Sequence, residues 1–141
     1  MDQLISHETA VLASEKGYNI NCPYAYNEEG GIDSSVDFFG EDCFTIGDMV
    51  SAEANECKCY LAPTQTALSK WMREVHKIIV WVEPDYDFGE ETILLNKWGA
   101  VVTKGLFSST TETSYCETYE EALELGLQMG LNAIKNGKAS N

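Results

Sequence analysis

Cys57 and Cys59, one residue apart, are the most chemically suggestive pair in the sequence. On a strand over Glu56 to Leu61 both thiols point to one face. Two thiolates make half of a tetrahedral zinc site. No second close pair follows, and His76 could join only through the fold. The sequence therefore favours two small apolar side chains on the core face of a strand, since free cysteine is among the most buried residue types. His76 sits where a helix should end, and the dipole there favours its cation. That suits a cap or a structural contact better than catalysis. Thr64-Gln65, at the other end of the same helix, is about 18 Å away at 1.5 Å per residue. No nucleophile elbow, P-loop or H-E-x-x-H is present, and Gly30-Gly31 is too short to cradle a phosphate. Asp85 to Glu91 carries enough carboxylates for a hard cation, but Gly89 takes a ligand position and Asn96 stands where a bidentate Glu belongs. It reads as a solvated acidic turn. The expectation is no catalytic residue, no metal and no cofactor.

Aromatic residues point instead to binding. Tyr18, Tyr24 and Tyr26 cluster near an expected loop, and Trp98 falls in an expected hairpin turn. Exposed aromatic residues in loops anchor ligands and protein partners; satellite core packing is the competing reading. Tyr24, Tyr26, Trp98, Arg73 and His76 form the candidate binding set. Lys70, Arg73, Lys77, Lys97 and Lys104 are the bases that could hold a phosphate.

Charge narrows the partner. The 141 residues hold 9 Lys and Arg against 23 Asp and Glu, a formal net charge of −14. Affinity for nucleic acid and for anionic membranes rests on Lys and Arg, so neither is an expected partner. Between Gly17 and Cys57 there are nine acids and no base. That stretch reads as short strands and loops with an acidic outer surface. No apolar run reaches the roughly 18 residues of a membrane span. Met1 to Ala13 lacks the basic start and apolar core of an export signal, and five cysteines make an odd count. Both features fit reduced thiols in a cytosol.

Those residues need elements to hold them. A short helix opens at Ser6, with Glu8 in its first turn and Gly17 as its stop. Ser34 to Gly40 and Asp42 to Val50 carry weak strand character through Val36, Phe38 and Phe39. Leu68, Trp71, Met72 and Val75 fall on one face of a helix from Thr64 to His76. Ile78 to Val82 is an unbroken β-branched and aromatic run, which predicts a central, buried strand ended by Pro84. Thr92 to Leu95 and Ala100 to Thr103 read as two strands of a hairpin around Asn96 to Gly99, with a further strand at Ser114 to Cys116. Thr118 and Glu121 form a capping box opening a last helix, which Gly137 should stop. The sum is a single α+β domain over 1–141. It has one mainly antiparallel sheet of four to six strands, two main helices on one face and the short first helix near an edge.

Gly126 and Gly130 stand out in the last helix. Each mid-helix Gly costs about 0.5–1 kcal/mol relative to Ala, so something must require close backbone approach. Packing on the helix's own sheet is one reading; contact with the same helix of a second subunit is the other. Leu125, Met129 and Leu131 leave the helix apolar on more than one face, which supports a homodimer or higher symmetric oligomer with Gly126 and Gly130 at the interface.

Three stretches together resemble a known group. They are Ala62-Pro63-Thr64-Gln65 through Lys70-Trp71-Met72-Arg73-Glu74-Val75-His76 into Ile78-Ile79-Val80; Tyr119-Glu120-Glu121-Ala122-Leu123 with Gly126-Leu127; and Thr9-Ala10-Val11-Leu12-Ala13 with Lys16-Gly17-Tyr18. The chain is similar to small uncharacterised proteins encoded by phages and prophages of gut Bacteroidetes. The resemblance spans about half of the residues and omits Cys22 to Glu56. It implies a mobile-element origin, action in the host cytoplasm and no transferable catalytic residue. The functional expectation is a non-enzymatic phage accessory protein that binds a host component. That component could be a defence system, met by carboxylates that mimic nucleic-acid phosphates. An oligomeric binder of a nucleotide signal and a virion structural protein are the alternatives.

Overall fold

The computed structural model describes residues 2–35, 43–88, 93–104, 110–113 and 115–134. The class is α+β, as the sequence predicts. The strands are antiparallel throughout but divide between two three-stranded sheets instead of forming one. The residues gather into two compact units, Met1–Ala67 and Leu68–Ile134.

In the first unit, helix α1 (His7–Glu15) is capped by Ser6, whose hydroxyl accepts the Thr9 N–H at 3.2 Å. Strands β1 (Tyr24–Asn27), β2 (Ile32–Ser34) and β3 (Cys59–Leu61) form a sheet in the order β2-β1-β3. Helix α2 (Ile46–Ala54) precedes β3, and both α1 and α2 pack against β3. The described part of Asp42 to Val50 is therefore helix from Ile46 on, not strand. A capping box explains the difference. Asp48 N–H donates to the Thr45 hydroxyl at 3.2 Å, and the Asp48 carboxylate accepts the Thr45 N–H at 2.8 Å. Two reciprocal bonds at the first turn outweigh a weak strand tendency. Val36, Phe38 and Phe39 lie outside the described residues.

In the second unit, β4 (Ile78–Phe88) pairs with β5 (Ile93–Lys104), and β5 pairs with β6 (Thr110–Glu112). The expected hairpin around Asn96 to Gly99 is replaced by one long strand. Trp98 pairs with Pro84, and the register slips between Asp85 and Tyr86, leaving Asn96 as the extra residue of a bulge. Pro84 does not end β4, because β4 lies at the sheet edge, where a missing N–H breaks no ladder bond. For the same reason β4 is not a central strand. Ile78 and Val80 face inward, whereas Ile79 and Trp81 are 44% and 39% exposed. Asp85 to Phe88, expected in a turn, belong to the strand. Cys116 makes only an isolated bridge to Trp98. Gly137 lies outside the described residues.

Helix α3 (Gln65–His76) runs up to β4. Helix α4 (Tyr119–Asn132) starts at the expected cap, with the Thr118 hydroxyl accepting the Glu121 N–H at 3.1 Å, and lies on β4 and β5. Its buried stripe is Ala122, Gly126, Leu127, Gly130 and Leu131. A Cβ on Gly126 would lie 2.7 Å from both Ala100 Cβ and Val80 Cγ1. One on Gly130 would meet the Met72 methyl and sit 3.2 Å from Ile78 Cγ2. The glycines serve close packing within the chain, on the sheet and the neighbouring α3. This replaces the expectation of a subunit interface at Gly126 and Gly130.

Adding a methyl at Gly126 sets two physical terms against each other. Ala gains about 1 kcal/mol of helix propensity, while overpacking a tight core costs about 1–3 kcal/mol. Both neighbours are short and rigid, so the clash wins. Gly126→Ala should lower stability by up to about 2 kcal/mol in urea denaturation, while Leu125→Ala, at an exposed position, should change it by less than about 0.5 kcal/mol. A more stable Gly126→Ala protein would contradict the packing account.

Candidate functional site

The residues singled out for binding are divided between the two units. Tyr24 and Tyr26 belong to the first unit, while Arg73, His76 and Trp98 belong to the second. Tyr26 is core: its hydroxyl donates to the Ile5 carbonyl at 2.6 Å, and His7 meets its ring edge-on at 5.5 Å. Tyr24 is 39% exposed. Trp98 is half-buried and packs edge-on against Tyr119 at 5.6 Å. His76 packs edge-on against Trp71 at 4.7 Å. Burial, and then the Lys104 ammonium, hold the His76 imidazole below its ordinary pKa. His76 and Trp98 are also far apart, because Lys104, opposite Ile78, is six residues along β5 from Trp98, about 20 Å.

Four of the five candidate bases, the lysines, are engaged. Lys70 lies 4.0 Å from Glu74, and Lys97 lies 3.6 Å from Glu117. Lys77 and Lys104 donate to the Glu74 and Ala133 carbonyls at 2.9 and 3.2 Å. Among the described residues no three His, Cys, Asp or Glu gather as metal ligands. No helix among them is long and apolar enough to cross a membrane.

The site that does form was not anticipated. It is a cavity of about 260 Å3 in the first unit. The register of the sheet builds one wall. Ala25 opposes Asp33 on β2 and Leu61 on β3, and Asn27 opposes Cys59. Side chains alternate along a strand, so Ala25, Asn27, Asp33 and Cys59 share one face while Tyr24 and Tyr26 take the other. Helix α2 builds the facing wall with Asp48, Met49 and Ala52, which fall on one helical face. Phe44 closes the cavity, held by paired backbone bonds with Cys22 of 3.1 and 2.7 Å. Ala25, Phe44 and Met49 are buried and make an apolar floor.

The rim is acidic. Glu29 is carried on the β1–β2 turn, where the Asn27 side chain accepts the Glu29 and Gly31 N–H groups at 3.0 and 2.9 Å. Gly30, at φ +93°, supplies a conformation that other residues adopt at a cost. Asp33 and Asp48 complete the carboxylates. Cys57 and Cys59 also line the cavity, which revises the expectation that both are buried core residues: Cys57 is exposed and Cys59 half-buried. Cys57 is placed by the end of α2. Its N–H donates to Ala52 O at 2.9 Å and that of Glu56 donates to Glu53 O at 3.0 Å, a Schellman closure with Glu56 at φ 61°. Burial pushes the Cys59 thiol up to about 11, helped by Cys57, Asp33 and Glu28. Cys22 is raised to about 11 as well, chiefly by burial.

Two measurements follow from this geometry. A left-handed Glu costs about 1–2 kcal/mol, and Gly returns most of it. Glu56→Gly should therefore stabilise the protein by about 0.5–1 kcal/mol in urea denaturation while leaving Cys57 in place. Alkylation of Cys59 should rise with pH to a midpoint near 11. Asp33→Asn removes a charge that opposes the thiolate, so the midpoint should fall; an unchanged midpoint would mean that Asp33 does not act on this thiol. Compared with family models, with curated proteins and with solved structures, the chain matches none, and the reading of the cavity rests on its geometry.

Proposed function

We propose that this chain is a non-enzymatic accessory protein of a phage or related mobile element, and that it binds a host protein through the cavity of the first unit. The observation that carries the reading is an apolar cavity lined by Glu29, Asp33 and Asp48, with no base among the described lining residues. A pocket of this kind offers burial for an apolar group and a field that selects positive charge. The resemblance to phage and prophage proteins supplies the host context. A host defence component is one partner of this kind.

The nucleotide alternative draws less support. A carboxylate rim repels phosphates, and the lysines that could hold them pair with carboxylates or carbonyls of the second unit.

The test is capture from a lysate of gut Bacteroidetes cells at physiological salt. The wild-type chain should retain a specific protein. Ala52→Phe, which fills the cavity, and Glu29→Lys, which reverses charge at its rim, should each lose most of it while keeping the wild-type melting temperature. Retention of the same protein by both folded variants, or of no specific protein by any, would refute the reading.

A further inference from the structure

We infer that the cavity of the first unit receives an arginine side chain from a basic segment of the partner protein. The inference rests on the reading that the cavity is where the partner docks. Size limits the occupant first. An apolar cavity of about 150 Å3 holds benzene, and drug-sized ligands occupy about 300–1,000 Å3. At about 260 Å3, the space suits one long side chain better than a cofactor or a nucleotide.

The lining then sets its chemistry. Ala25, Phe44, Met49 and Ala52 offer apolar surface to a hydrocarbon stem, and the Phe44 ring adds an aromatic wall. Glu29, Asp33 and Asp48 place three carboxylates around the same space, with nine acids and no base in the sequence between Gly17 and Cys57. No neighbouring Lys or Arg of that stretch can neutralise them from within. Lys58, between the lining Cys57 and Cys59, is exposed and is not among the described lining residues, so the space suits a complement with an apolar body and a cationic end. Arginine fits this better than lysine. Its guanidinium is planar, meets carboxylates through paired N–H donors and is weakly hydrated, whereas an ammonium is compact and strongly hydrated.

The probes are short peptides of Gly and Ser with one central Arg, and the same peptides with citrulline, lysine or norleucine at that place. Citrulline keeps the shape of arginine and removes its charge. Binding to the full chain is followed by calorimetry, and occupancy by protection of Cys57 and Cys59 from iodoacetamide. The arginine peptide should bind about tenfold tighter than the citrulline peptide, the value of one charge-assisted contact. It should also slow alkylation of both thiols. Glu29→Gln with Asp33→Asn should erase the preference. Equal binding of the arginine and citrulline peptides, or no protection of the thiols by the arginine peptide, would overturn the inference. So would free benzylammonium binding more tightly than the peptide, because the occupant would then be a small molecule. If capture of the host protein depends on the cavity but the peptides show no preference, only this inference falls. If the peptides show the preference and capture ignores the cavity, the docking reading falls instead.

Discussion

The parity of β1 is the constraint on which the first unit depends. Four residues, Tyr24 to Asn27, must serve two faces at once. Tyr26 faces the core, where its hydroxyl is fixed on the Ile5 carbonyl and its ring meets His7. That commits Ala25 and Asn27 to the opposite face, and pairing carries Asp33 and Cys59 there with them. A slip of one residue would exchange the two sets. The tyrosine anchored in the core thus decides which side chains line the cavity. Ala25 leaves space, and Asn27 ties down the turn that carries Glu29.

A different constraint rules the second unit. Gly126 and Gly130 let α4 approach the sheet so closely that a single added carbon meets Ala100, Val80 or Met72. The approach buries Ile78, Val80, Ala100 and Val102 on one face of the β4–β5 pair. The other face stays partly in solvent at Ile79 and Trp81. Close approach on one side and exposure on the other is normal for an antiparallel sheet, which needs only one dry face.

Where local signals were strong, they could be read in advance. The Ser6 and Thr118 caps, the Leu68, Trp71 and Met72 part of the α3 stripe and the α+β class follow from side-chain chemistry within one turn or one strand, whereas Val75, the fourth member of the expected stripe, is 57% exposed. The errors fall where one signal stood for two structures. An unbroken apolar run at Ile78 to Val82 fits a central strand, and it equally fits an edge strand whose outer face carries Ile79 and Trp81. Thr45 and Asp48 form a capping box, and its two reciprocal bonds outweigh the strand tendency of the aromatic and β-branched residues around it. The cavity was not legible at all. Its lining residues lie on three strands, one helix and the segments between them, and only the pairing of β1 with β2 and β3 gathers them. The aromatic residues, by contrast, were legible as a class and misleading as a site, because Tyr26 and Trp98 spend their rings on neighbours in the fold.

The acidic stretch gains a physical meaning once it is seen against that cavity. Like charges gathered on one surface repel, and a chain at −14 can relieve this by setting bases among its acids. The second unit does so with the Lys70–Glu74 and Lys97–Glu117 pairs. Exposed pairs of that kind contribute little to stability, so their absence from the stretch between Gly17 and Cys57 costs the fold little. Its effect is on the potential at the mouth of an apolar space, where low-dielectric walls weaken screening and lengthen the reach of each carboxylate. The Cys59 thiol is raised chiefly by burial, then by Cys57, and the neighbouring Asp33 and Glu28 add to it. A surface that needed only solubility could scatter its acids anywhere. Here three of them line the apolar space between α2 and the sheet, and that placement concentrates negative charge where a partner's cation would meet it.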